Sequence, residues 1–381
     1  MKVICAIDSF KGSLTSTEAG EAAREGILRA VPDADVRVFS VSDGGEGLTD
    51  VIVSSVGGEY RSVDVSDPLG RRITARYAVV NDTTAIIEMA AAAGITLLKE
   101  SEKDPMHTTT YGVGEMIAHA LRSGIRQFVI GLGGSATCDG GAGCLQALGF
   151  RLLDRNGDEI GPGASGLSKL VSVDGSGKLE GLSNSVFHIA SDVKAPLCGI
   201  NGAAYVFGPQ KGATDSEVGI IDDALKNFSA VTRAAYPDAS GSLPGAGAAG
   251  GMGFSLVNYL GGRLFSGIDI VMKGLGVYDA IQTADVVVTG EGTLDKKTIM
   301  GKVPYGVAMA AKENNVPVIA LCGVIMDNCR EAESCFTASF PILRRICSRD
   351  YAMDRKNAAN NMRDTAEQVF SLLNVSDKRS I

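Results

Sequence analysis

Four stretches of this 381-residue chain bring carboxylates together with lysines, glycines or both: "DSFKG" at Asp8–Gly12, "SDGGEG" at Ser42–Gly47, "SDVK" at Ser191–Lys194 and "TGEGTLDKKTIMGK" at Thr289–Lys302. A carboxylate can accept a proton or hold a hard cation, and a lysine can neutralise phosphate or carboxylate charge. In each case a short apolar run comes first, so the polar groups read as sitting at the carboxyl ends of strands, where open α/β sheets bind ligands. Asp8 is then a base or metal ligand and Lys11 a charge neutraliser, although a capped turn with a surface lysine accounts equally well for both. Asp43 and Glu46 sit among three glycines, with an N-cap as the rival role for Asp43. Asp192 closes the strand His188–Ser191. Glu291, Asp295, Thr298 and Lys302 form a set able to orient a hydroxyl and neutralise phosphate.

A fifth stretch, Arg126–Leu148, reads as strand, glycine loop and helix. Glycines let backbone N–H groups approach an anion, so this is a candidate phosphate loop built from Gly131, Gly133, Gly134, Ser135 and Thr137. Asp139 either caps the helix or holds a metal that bridges phosphates. The same residues offer a rival: Gly131, Gly133 and Ala136 match a dinucleotide fingerprint, with Asp154 after "FRLL" as its ribose carboxylate. Gly245, Gly247 and Gly250 fit that pattern too, without a preceding strand, which shows how easily a glycine-rich chain produces it. No Walker A loop is present. Cys138 lies in the loop as a small filling residue with no base nearby in sequence.

The elements that position these groups alternate. Val3–Ile7 reads as a buried strand, with a helix from near Ser16 to about Ala30 and a strand at Val36–Val41. Tyr60–Val80 changes to short alternating segments around "DPLGRR", a hairpin or meander. Ile86–Glu88 ends a strand, Lys211 lies in a "GPQKGA" turn as a buried cation, and "LPGAGAAGGMG" at Leu243–Gly253 either packs against a ligand or starts a close-packed helix. Strands return at Val286–Val288 and Pro317–Leu321. The fold class is therefore α/β with largely parallel sheets, in two domains: residues 1–65 plus 285–381, and residues 66–284.

Composition narrows the function. A hydrophobic share of 45% with 21% charged residues describes a globular protein, and a net charge of −8 argues against a nucleic-acid surface. Eight cysteines without paired CxxC spacing argue against a metal cluster or a disulfide framework. His107 and His119 have no partner at metal-ligand spacing. The basic stretch Arg344–Arg355 reads as a solvated helix face. No segment is long and apolar enough to span a bilayer, and "MKVICAIDS" runs straight into a strand, so a cytoplasmic protein with no membrane partner is expected. An oligomer stays open.

Taken together the motifs resemble the bacterial glycerate kinase type I family. They are "DSFKGS", "SDGGEG", "GLGGSATCDGGAG", "SDVKAPLCG", "VFGPQKGA", "PGAGAAGGMG" and "TGEGTLDKKTIMGKVPYGVA", in this order over nearly the whole chain. The family pattern differs at Ile7, Cys138 and the Thr293–Leu294 pair. The resemblance implies one α/β domain inserted in the other, an active site in the cleft, and ATP-dependent phosphorylation of glycerate, mostly to 2-phosphoglycerate. On that reading Lys11 and Lys302 neutralise charge, Asp8 or Asp192 accepts the hydroxyl proton, and Asp43 or Asp295 helps to hold Mg²⁺. Ser9, Ser42, Glu46 and Glu291 contact glycerate. Gly131, Gly133, Gly134, Ser135, Thr137, Lys211 and Gly290 contact ATP.

Overall fold

The computed structural model describes residues 1–41 and 47–377. Two compact units emerge: Met1–Asp43 with Ser54–Val56 and Ile268–Ile381, and Gly44–Val53 with Gly57–Gly267. The chain begins with β1 (Lys2–Ile7) and β2 (Asp35–Ser40). It continues through β3 (Glu59–Ser66), β4 (Arg72–Val80), β5 (Thr84–Glu88), β6 (Gln127–Gly131), β7 (Arg151–Leu153), β8 (Ser172–Asp174), β9 (Val186–Ala190) and β10 (Arg263–Phe265). It ends with β11 (Val286–Thr289), β12 (Thr293–Leu294), β13 (Val318–Cys322), β14 (Val324–Ile325) and β15 (Ala338–Pro341).

The first unit holds a five-stranded sheet in the order β15-β13-β11-β1-β2, with every neighbour parallel. Both faces of such a sheet are covered, which is why β1 and β11 are continuous apolar runs rather than alternating ones. The helix Ser16–Ala30 opens with a Thr15–Glu18 capping box. It packs on the helix Arg355–Asp377 so closely that a Cβ at Gly26 would stand 2.0 Å from the Arg363 carbonyl oxygen. Ile27, Met362, Ala366 and Phe370 join Val3, Cys5 and Ile7 in one core. From β1 the chain steps to β2 on one side, whereas β11, β13 and β15 build on the other. The sheet's switch point therefore lies between β1 and β11, and ligands in open α/β sheets bind at such a point.

The second unit holds a six-stranded sheet in the order β10-β9-β6-β5-β4-β3. β10, β9, β6 and β5 are parallel, and β4 and β3 extend the sheet antiparallel. The expected hairpin is β3–β4, its turn closed by Asp67, whose Oδ1 accepts from the Leu69 and Arg71 amides, each at 2.8 Å. The domain limits read from the sequence, 65/66 and 284/285, need correction. β3 pairs with β4 along its whole length, so it belongs to the second unit, and the helices Gly267–Gly274 and Val277–Gln282 fall almost wholly in the first. Alternation in an edge strand does not say which sheet it joins. All eight cysteines are free, and among the described residues no helix is long and apolar enough to cross a membrane.

Candidate active site

At the switch point of the first unit the strand ends are tied together. The Asp8 amide, just past β1, donates to the Gly290 carbonyl, just past β11, at 2.9 Å. Gly290 is required by close approach, since a Cβ there would meet the Leu321 carbonyl oxygen at 1.9 Å. The Ser9 amide donates to Asp8 Oδ1 at 2.7 Å, and the chain turns back through Gly12 at φ +80°. Beyond Gly290, Glu291 is 5% exposed and both of its carboxylate oxygens are engaged. Thr298 Oγ1 donates to Oε1 at 2.6 Å and Lys302 Nζ donates to Oε2 at 2.7 Å. The same Thr298 hydroxyl accepts from the Asp295 amide at 3.1 Å, and Asp295 Oδ1 stands 3.7 Å from Lys302 Nζ.

Burial by itself would lower the Lys302 pKa, but the hydrogen bond and charge of Glu291, with the charges of Asp295 and Asp8, more than offset it and raise the pKa. The ammonium is thus a fixed positive charge across the working pH range. Asp8, Ser9, Lys11, Glu291 and Lys302 line one cavity of about 320 Å³. Lys11 is exposed and makes no ion pair among the described residues. A mobile cation, a held cation and a carboxylate facing one cavity can bind an anion and take up a proton.

The central glycine loop lies in the second unit, after β6. Three of its amides are engaged inside the second unit: Leu132 with the Ala190 carbonyl, Ala136 with Ala93 and Gly140 with Gly250. Asp139, wholly buried, accepts from the Thr110 amide and hydroxyl, both at 2.8 Å, and from the Gly141 and Gly143 amides at 3.0 and 3.2 Å. Burial raises its pKa against these hydrogen bonds. Asp139 therefore organises the loop and the start of the helix Ala142–Ala147. The Gly245–Gly253 run packs on the same loop, as a Cβ at Gly250 would lie 1.9 Å from the Thr137 carbonyl oxygen. That run is close-packed backbone. Cys138 is fully buried, and burial pushes its thiol up, so it offers no thiolate.

Lys211 is 2% exposed and donates to Ser135 Oγ and the Thr137 carbonyl, each at 2.7 Å. Burial lowers its pKa against the charges of Cys138 and Asp139. The folded protein then binds this proton less tightly than the unfolded chain does. Stability gains from this group as pH rises from the lowered folded value toward the ordinary lysine value. Lys211→Met removes that slope and leaves the Thr137 carbonyl without its donor. The expected result is a loss of about 1–3 kcal/mol at neutral pH and a flatter rise of the urea midpoint toward alkaline pH. A slope equal to that of the wild type would count against a perturbed Lys211.

The other expected residues are spread between the units. Asp192 follows β9 in the second unit and accepts from the Gly267 amide at 3.1 Å. Glu88 accepts from the Gly47 and Thr49 amides, at 3.2 and 2.8 Å, at the start of the helix Leu48–Val56. Ser42, Asp43 and Glu46 lie outside the described residues. Asp154 accepts from the Asn156 and Asp158 amides in the turn after β7, so its carboxylate closes a local turn. β7 pairs with β8 in a two-stranded sheet outside the large one, and the dinucleotide reading loses its ribose-binding residue. Sequence reading missed Phe10, Ile342, Leu343 and Met353, an apolar wall of the same cavity. The last three flank or interrupt the basic stretch taken for a solvated face, and no local pattern joins them to Phe10.

The model of the glycerate kinase family matches residues 3–374. The chain belongs to the glycerate kinase family. It is thus an enzyme, a kinase. A glycerate kinase of Bacillus subtilis (strain 168) is 47% identical over 85% of each chain, and a glycerate 2-kinase of Escherichia coli (strain K12) is 44% identical over 86% of each chain. The crystal structure designated glycerate kinase 2 from Salmonella typhimurium LT2 superposes with a TM-score of 0.89 at 41% identity, over 99% of both chains. This glycerate kinase family member therefore shares its α/β architecture with a solved relative.

Proposed function

We propose that the enzyme phosphorylates a hydroxyl of D-glycerate with ATP, giving 2-phosphoglycerate, and that it acts in the cytoplasm. The observation that carries this reading is the convergence of Asp8, Lys11 and the Glu291–Lys302 pair on one cavity at the strand switch point. The likeness to a relative named glycerate 2-kinase supports the 2-position.

In the reaction the substrate hydroxyl oxygen attacks the γ-phosphorus in line. An O–P bond forms as the bond to the β,γ-bridging oxygen breaks, and ADP leaves with the electron pair. Asp8 takes the hydroxyl proton. Lys11, exposed and unpaired among the described residues, neutralises charge on the transferring phosphoryl group, and Lys302 is held by Glu291 beside the glycerate carboxylate. Glu291 acts through Lys302, because both its oxygens are already engaged. Ser9 orients glycerate. Mg²⁺ bound to ATP would be met by the Asp295 carboxylate, with Asp43 as the further candidate, and would neutralise phosphate charge there. Lys211 holds the Ser135–Thr137 segment through Ser135 Oγ and the Thr137 carbonyl.

A coupled ADP-release assay with ATP, magnesium and D-glycerate tests the reading, with phosphorus NMR of the product. Glycerate-dependent release of ADP and a 2-phosphoglycerate spectrum are expected. Release that ignores glycerate would sink it.

A further inference from the structure

The cavity of the first unit is larger and more apolar than glycerate and phosphate require. At about 320 Å³ it falls at the lower edge of the roughly 300–1,000 Å³ range of pockets that enclose drug-sized ligands. Its charged groups and most of its apolar groups come from different strands, Phe10 after β1 being the exception. Asp8 and Lys11 follow β1, and Glu291 and Lys302 follow β11, whereas Val324 follows β13 and Ile342 and Leu343 follow β15. Along the sheet edge the order is β15-β13-β11-β1, so charge gives way to apolar surface in one direction. From β11 to β15 is two strand spacings, roughly 10 Å, which is the scale separating the terminal phosphate of a nucleotide from its base.

The wall at that end is built to stay in place. The Ile342 amide donates to the Cys322 carbonyl at 2.7 Å, and Ile342 packs in the same core as Phe10. Met353, at the end of the helix Arg349–Met353, closes over the Asp8–Leu14 turn, its Cε 3.0 Å from where a Cβ of Gly12 would stand. Met353 nonetheless remains 37% exposed, and thioethers make favourable contacts with aromatic rings. A second observation points to a ligand. Ser13 lines the cavity, and its Oγ is buried without a hydrogen-bond partner. A buried hydroxyl left unpaired is costly, and a polar ligand atom in the cavity would satisfy it.

We infer that the Phe10, Val324, Ile342, Leu343 and Met353 wall is the adenine subsite, which places the nucleotide on the first unit with its phosphates toward Lys11. This rests on the kinase reading above for its substrate, but the two fail separately. Glycerate itself is too polar to use such a wall.

Photolabelling of the wild-type protein with 8-azido-ATP, followed by peptide mapping, is the direct test. Label within residues 342–358 or 9–14 is expected; label confined to residues 131–143 or 203–213, or none, overturns the subsite. Two variants on exposed or half-buried wall positions, Ala352→Trp and Met353→Asp, add an equilibrium measurement by dialysis. Each is expected to weaken ADP about tenfold while leaving inorganic tripolyphosphate within about twofold, since only ADP carries the base. ADP affinity unchanged in both variants overturns the subsite while wild-type turnover keeps the kinase reading. Label on this wall without glycerate-dependent turnover would instead keep the subsite and remove glycerate as the acceptor.

Discussion

Asp8→Asn is expected to lower kcat by about 10²–10⁴-fold, the usual range for losing a positioned general base, with a urea midpoint close to that of the wild type. Asparagine keeps the backbone bond from residue 8 to the Gly290 carbonyl, and its side-chain oxygen can still accept from the Ser9 amide. What it loses is the ability to take a proton and the negative charge near Lys302. Asp192→Asn is the comparison, because both carboxylates stand at strand ends and the sequence alone did not separate them. Asp192 already accepts from the Gly267 amide, a bond that an amide oxygen reproduces, so a fall of less than about tenfold is expected there. Steady-state kinetics at saturating ATP and glycerate decide between them. If Asp192→Asn collapses turnover and Asp8→Asn does not, the base moves to the second unit.

The parallel strands were the most legible part of the fold. Val3–Ile7 and Val286–Val288 are apolar without alternation, as strands covered on both faces must be, and they appear as β1 and β11 within a residue. The helix at Ser16 was equally plain because Thr15 and Glu18 form its cap. Partnership was not legible. The β3–β4 pairing could be read around "DPLGRR", but nothing local in Glu59–Ser66 says that this hairpin joins the second sheet, and nothing in Gly267–Gln282 says that its helices return mainly to the first unit.

The site was legible where chemistry and strand ends coincide. Asp8, Lys11, Glu291 and Lys302 come from positions almost 300 residues apart, yet each was marked by the same sign, a charged group and glycine after an apolar run. The glycine loop carried that sign more strongly, and part of it also serves packing. Two of its glycine amides, at 141 and 143, donate to the Asp139 carboxylate, and Gly250 packs beside the Thr137 carbonyl. A glycine required by a neighbouring backbone and a glycine required by a ligand look alike in one sequence. The apolar wall at 342–353 was invisible because its residues are ordinary core types interrupted by arginines.

Gly250→Ala separates these two meanings of glycine. Gly250 sits at φ +67° between Ala249 and Gly251, which also lie in the left-handed region, so the chain makes an unusual turn before entering the helix that ends at Leu260. Alanine there meets two costs. The left-handed conformation costs about 1–2 kcal/mol for a residue with a side chain, and a Cβ at 1.9 Å from the Thr137 oxygen forces backbone apart at an overpacking cost of about 1–3 kcal/mol. The sum, about 2–5 kcal/mol, is a large share of the roughly 5–15 kcal/mol that holds a typical domain folded. Gly157→Ala provides the control: its φ is +83° and no atom lies within 4 Å of the added Cβ, so only the conformational cost of about 1–2 kcal/mol is expected. Urea denaturation of the two variants should therefore differ by the packing term alone. Equal losses would mean that the Thr137 segment yields to the new methyl. In that case Asp139 and Lys211, which hold this segment from its other sides, would not define one rigid loop.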